Sequence, residues 1–218
     1  MSYLIVFVCH DNESIANVIH HNKNIMFVGN KEISDEYINN PKIIIARNLE
    51  NNIEYEHKLL TFTAWYAICK NNLFTEYDYL CILEYDVELY KNFENNLENR
   101  LLLNNNEVIS FLYDSSNKYL YEHVDKNLID KFLISKNHNA GVLHKGWGTS
   151  TNQCIPRNIL CDFVDWYYPD CLNIKLNDYN YFSFYHERIF MFYLRNKGID
   201  FTIVDGLKHY QKKSHGNY

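Results

Sequence analysis

The chain has 218 residues, a hydrophobic fraction of 47%, an aromatic fraction of 16% and a formal net charge of −6. That length and apolar content support one well-filled domain and exclude a disordered chain. The acidic balance, with a pI near 5.9 and no domain-wide basic patch, excludes general nucleic-acid binding.

Residues 3–9, "YLIVFVC", are short, apolar and β-rich and predict a buried strand; "DNES" after them is a helix start signal. Residues 24–30 predict a second strand turning at Gly29-Asn30, and 41–48 a third. Residues 53–70 read as a long helix and 79–84, "YLCILE", as a fourth strand. A polar helix and turn follow over 92–106, and a fifth strand over 107–113. Residues 114–153 have weak periodicity and predict irregular structure with a helix near 125–134. Helices are expected over 157–168 and 181–198, the second closing on Gly198, then a last strand over 200–205 and a polar, basic tail. Alternation of strands and helices in the first half predicts an α/β fold, a mostly parallel central sheet flanked by helices, in a single domain spanning 1–218.

No apolar run reaches the ~18 residues of a membrane span. The opening "MSYLIVFVCHD" has neither a basic start nor a cleavage site, so neither a membrane segment nor a signal peptide is expected. The six cysteines show no C-x-x-C spacing, and Cys9, Cys69 and Cys81 lie in apolar runs. They read as buried free thiols of a soluble chain in a reducing, cytoplasmic compartment. The 19 Tyr and 13 Phe exceed a minimal core. Packing explains most of them, and polar-tipped rings also suit sugar or nucleotide sites.

The fourth strand ends abnormally: five apolar residues, then Glu84 and Asp86 around Tyr85, with Val87 and Leu89 resuming. Acids are rarely buried without a partner. Either they are solvated at the strand end, or a cation sits there. In open α/β sheets ligands bind beyond the carboxyl ends of the strands, and His10 and Asp11 lie at the corresponding end of the first strand. Carboxylates so placed suit Mn²⁺ or Mg²⁺, which take carboxylate, phosphate and water oxygens and can neutralise a departing diphosphate.

An apolar strand followed by Glu84-Tyr85-Asp86 resembles the D-x-D motif of GT-A-fold glycosyltransferases, with Glu at the first position. The stretch 53–88, "IEYEHKLLTFTAWYAICKN…YDYLCILEYDVEL", is similar to bacterial capsular-polysaccharide-type transferases. The resemblance implies a single GT-A-like, Rossmann-like domain, with a nucleotide-sugar half (1–113) and an acceptor half (114–218). It implies transfer of a sugar from a nucleotide-diphospho-sugar, a UDP-sugar being the expected donor, to a hydroxyl of a glycan or glycoprotein. Asp86 would bind the metal directly, and Glu84 the ribose or the metal through water, with Tyr85 beside the donor. Glu187, in "FYHERIF" and about 100 residues beyond Asp86, stands where inverting enzymes of this group carry their carboxylate base. The alternative is an exposed helix face with a Glu–Arg pair. His209 or His215 would complete the metal site, and Lys212 and Lys213 would meet the diphosphate, unless the tail is a disordered end. His10 or Asp11 would contact the base or ribose, or serve only as a cap. Arg47 and Lys58 would reach the donor phosphates, or be plain surface charges. Trp147, Ser150, Thr151 and Asn152 would shape an acceptor pocket, or pack. A homodimer is compatible with the chain.

Three other readings compete. A nucleotidyltransferase would carry a Gly-rich loop after the first strand, and "CHDNESIANV" has no glycine. A non-catalytic glycan-binding relative would not need Asp86 and Glu187 together. A metal-dependent hydrolase would want more His/Asp pairs than the sequence offers.

Overall fold

The computed structural model describes residues 1–55, 61–103, 106–111, 122, 126–140, 151–173, 185–204 and 206–209. The run Tyr3–Cys9 is β1, and Asp11 ends it by capping α1 (Asn12–Val18). Its carboxylate accepts the Ser14 N–H at 2.8 Å, and the Ser14 hydroxyl accepts the Asp11 N–H at 2.9 Å. This is a capping box with serine in the place usually held by Glu or Gln.

The chain continues through β2 (Asn24–Phe27), the single turn α2 (Asp35–Ile38), β3 (Ile43–Ile45), α3 (Thr61–Lys70), β4 (Tyr79–Glu84) and β5 (Val87–Leu89). Next come α4 (Phe93–Leu102), β6 (Val108–Ser110), α5 (Lys126–Ser135), β7 (Gln153–Pro156) and α6 (Arg157–Tyr167). The last elements are α7 (Tyr185–Lys197), β8 (Phe201–Ile203) and β9 (Leu207–His209).

Seven strands form one sheet in the order β3-β2-β1-β4-β7-β6-β8, giving an α/β, Rossmann-like architecture. Every pairing is parallel except those of β7, which runs against both β4 and β6. A separate ribbon joins β5 to β9. The β1–β4 register runs from Tyr3 opposite Tyr79 to Val8 opposite Glu84, so the two strands finish at the same edge.

Alternation along the strands sorts the core into two layers. Val6, Val8, Met26, Leu80, Ile82 and Ile155 face α3, α5, α6 and α7. Ile5, Phe7, Ile25, Cys81, Leu83 and Cys154 face α1 and α4. Residues Tyr185 to Leu194 of α7 are all buried, so that helix is enclosed on every side rather than laid on the surface.

Several expectations change. The third strand is Ile43–Ile45 alone, with Ala46–Asn48 in a 3-10 turn. The helix expected from 53 is seen over Thr61–Lys70, and 56–60 lie outside the described residues. Strands β5, β7 and β9 were not expected. Cys69 is not a free thiol: it pairs with Cys161 in a disulfide between α3 and α6, with Cα atoms 5.3 Å apart, a normal span for such a bond. The two cysteines are 92 residues apart in sequence, so only the packing of the two helices brings them together. With this bond the cysteine argument for a reducing compartment falls away. Cys9 and Cys81 are buried free thiols as expected. Among the described residues, no helix is long and apolar enough to cross a membrane.

Candidate active site

The parallel β1–β4 pair delivers two chain turns to one edge of the sheet. His10 and Asp11 follow β1, and Glu84, Tyr85 and Asp86 end β4. The His10 and Tyr85 rings meet edge to face at 4.8 Å, so the two turns touch. Asp11 does more than cap: Lys31 Nζ lies 2.9 Å from its Oδ2, with His10 Nε2 at 3.7 Å. Burial pushes the Asp11 carboxyl up, but the bonds from Lys31 and Ser14 and the nearby His10 outweigh it and hold it at about 2. Lys31 was not foreseen; it follows the Gly29 turn after β2, which is the only signal the sequence carries.

Glu84 sits in a polar socket. Because β7 runs back alongside β4, its first residues lie beside the end of β4. Asn152 Oδ1 accepts the Glu84 N–H at 2.9 Å, and the Asn152 carbonyl accepts the Phe111 N–H at 3.1 Å. The Glu84 carboxylate accepts from the Thr61 hydroxyl at 3.4 Å and from Thr151. Thr61, Thr151 and Asn152 are all buried. Thr151 and Asn152 therefore support Glu84, a different task from the acceptor contacts expected of them. Thr61 was missed; a threonine within an apolar helical stretch carries no distinguishing sign.

The third acid comes from α7. Glu187 lies in its first turn and is 5% exposed, between His186 at 1% and Arg188 at 0%. An exposed Glu–Arg face is thereby excluded. Burial pushes the Glu84 carboxyl well up, and the charges of Asp86 and Glu187 push it further, against the two threonine bonds. Glu84, Asp86 and Glu187 thus share one electrostatic neighbourhood. His186 lies against Trp65, with ring centroids 5.6 Å apart. Burial, then the Arg188 charge, push its imidazole down to about 3, so it stays neutral. The Arg188 guanidinium lies 5.8 Å from the Tyr185 ring centre.

The ribbon brings in the last element. His209 is opposite Val87 in the β5–β9 register, and Val87 follows Asp86 directly. Arg47 lies at the same edge but beyond β2 and β1, roughly 14 Å from β4 at ordinary strand spacing. Its Nη1 donates to the Lys31 carbonyl at 2.9 Å and the Gly29 carbonyl at 3.4 Å, bracing the turn after β2. Glu54, another residue the sequence did not flag, is buried there and accepts the Gly29 N–H at 2.5 Å. Lys58, Trp147, Ser150, Lys212, Lys213 and His215 lie outside the described residues.

Among the described residues, no three His, Cys, Asp or Glu side chains are grouped so as to hold a metal by themselves. The chemistry of the donors still fits a hard divalent ion: burial first, then the charges of Asp86 and Glu187, raise Glu84, and a cation would relieve both. A shallow depression of about 420 Å³ opens at the opposite edge of the sheet, between Tyr77, Tyr79, Asn106 and Arg157. Its one carboxylate, Asp78, is taken up by the Ser2 N–H at 2.8 Å and the Ser2 hydroxyl, so it offers no rival chemistry.

No protein-family model matches the chain, and no curated protein matches it significantly. The fold and the acid cluster define the molecule as a Rossmann-like α/β domain with its polar residues gathered beyond the carboxyl ends of β1 and β4.

Proposed function

We propose that the chain is a metal-dependent glycosyltransferase of the GT-A type, moving a sugar from a nucleotide-diphospho-sugar, with UDP the expected nucleotide, to a hydroxyl of a glycan or glycoprotein with inversion. The carrying observation is that Glu84 ends β4, with Asp86 two residues on, at the edge of the sheet where α/β folds bind ligands, with the buried Glu187 of α7 near enough for its charge to act on Glu84. The Glu84-Tyr85-Asp86 motif adds weight, as does the buried setting of Glu187.

In this reading Asp86 and Glu84 hold Mn²⁺ or Mg²⁺, with His209 or His215 as a further ligand. The ion, when bound, supplies positive charge to the diphosphate. Each remaining role falls to a residue of the chain. Lys212 and Lys213, with Lys58, hold the phosphates. His10 and Tyr85, in contact with each other, border the nucleoside. Arg47 acts at one remove, by fixing the turn that carries Lys31. Glu187 takes the proton from the attacking hydroxyl oxygen as the bond to the anomeric carbon forms and the bond to the nucleoside diphosphate breaks. The enclosed walls of α7 keep water from competing. Residues 1–113 carry the larger share of the donor contacts, and 114–218 add Glu187, the acceptor side and the basic tail that meets the diphosphate.

A thermal-shift panel of UDP-, GDP- and CMP-sugars, with and without Mn²⁺, tests this on wild type and Asp86→Asn. The expected result is a shift with one nucleotide-sugar that needs Mn²⁺ and vanishes in the variant. Saturation at about 100 times the dissociation constant adds about 2.7 kcal/mol. A shift with nucleoside triphosphates alone would instead favour a nucleotidyltransferase, and no shift with any donor would remove the proposal.

A further inference from the structure

Three tyrosines from three chain segments meet on the surface beside the acid edge. Tyr168 directly follows α6, and its ring lies 4.6 Å from that of Tyr66 at 61°. Its hydroxyl oxygen is 3.4 Å from the Tyr55 hydroxyl oxygen. Tyr66 and Tyr168 are half-buried against the core, so their rings are held from beneath. Tyr55 is 64% exposed.

Their position is set by the same contacts that build the site. Tyr55 adjoins Glu54, whose carboxylate is bonded to Gly29 at the carboxyl edge. Tyr66 is five residues along α3 from Thr61, about 8 Å of helix rise, and Thr61 touches Glu84. Phe62, in the next position, meets Tyr167 at 4.9 Å, which fixes the end of α6 against this part of α3.

The three side chains are themselves neutral. Lys70 at the end of α3 pairs with Asp165 of α6 at 2.5 Å. Fixed aromatic faces with paired neutral hydroxyls suit one ligand chemistry above others: the C–H face of a pyranose ring, with its equatorial hydroxyls exchanging hydrogen bonds at the rim. Two rotatable side-chain bonds per tyrosine keep the ordering cost low.

We infer that the Tyr55–Tyr66–Tyr168 cluster is a carbohydrate-binding platform that takes a neutral sugar unit of a longer glycan. That the glycan is the acceptor rests on the transferase reading; the binding does not. Saturation-transfer NMR on the full chain tests it with maltotetraose, cellotetraose, chitotetraose and β-1,4-galactotetraose. Saturation of sugar ring protons by at least one of them is expected. Tyr55→Ala should weaken that binding about fivefold, the equivalent of one aromatic contact, and Tyr55→Phe should keep most of it. The melting temperature of each variant is read alongside, and the comparison is made at a temperature where both variants are folded. No saturation with any of the four, or equal affinity in wild type and Tyr55→Ala, overturns the platform. The nucleotide-sugar thermal shift is read on the same variant. Tetrasaccharide binding that depends on Tyr55, in a protein that no donor shifts, would leave the platform standing while the transferase reading fell.

Discussion

At Glu84 folding and the proposed chemistry pull in opposite directions. Burial, Asp86 and Glu187 raise its carboxyl, so the folded chain holds the Glu84 proton more tightly than the unfolded chain does. Stability linked to this group is complete below the unfolded glutamate value, near pH 4, and declines as pH rises through the folded one. Glutamine cannot ionise and escapes the decline. Glu84→Gln without divalent ions is therefore expected to have a higher urea midpoint than wild type at pH 7, with the gap closing toward about pH 4. The same variant should lose the Mn²⁺-dependent donor shift. A lower midpoint at pH 7 would mean that the carboxylate is stabilised by its surroundings, contrary to the proposed cation site. The acids themselves were legible because an apolar strand ending in two carboxylates is a conflict that local sequence does not resolve. Their supports were not. Thr61 and Asn152 are ordinary polar residues until β7 turns back beside β4 and α3 docks on the sheet.

At the scale of elements, the disulfide ties α3 to α6 and closes a loop of 92 residues. Cys161→Ser, or reduction of wild type, is expected to lower unfolding free energy by about 2–4 kcal/mol. Urea titrations with and without reductant read it, and a non-reducing peptide map should recover the Cys69–Cys161 link. A variant as stable as wild type would show that helix packing alone holds the pair. The longer elements were legible, since β1 and β4 are unbroken apolar runs and α1 announces itself by its cap. Strands β5, β7 and β9 were hidden for a physical reason. Three or four residues cannot display a period of two, and β7 begins with Gln153 and ends with Pro156. Such strands exist because a distant partner pairs with them, and a window of sequence holds no record of that partner.

Over the whole molecule, the site is collected from residue 10 to residue 209, and no half of the chain contains it. The ribbon β5–β9 pairs His209 with Val87, next to Asp86, a closeness that "HYQKKSHG" in the sequence does not reveal. In the proposed function, truncation after His209 should weaken the Mn²⁺-dependent donor shift about tenfold in apparent affinity, the equivalent of about 1.4 kcal/mol. An unchanged donor shift would take Lys212, Lys213 and His215 out of the proposed site.

The reversed strand β7 also bears on how the protein comes into being. β1 waits about 75 residues for β4, and β4 waits as long again for β7. Until Pro156 has been synthesised, β4 is an open sheet margin with Leu80, Cys81 and Ile82 ready to pair with any neighbouring chain. High contact order of this kind slows folding and prolongs exposure to aggregation. A ribosome stalled between residues 90 and 150 would release a fragment with its stickiest backbone uncovered, so production of this protein should depend on translation running through to β7 without interruption.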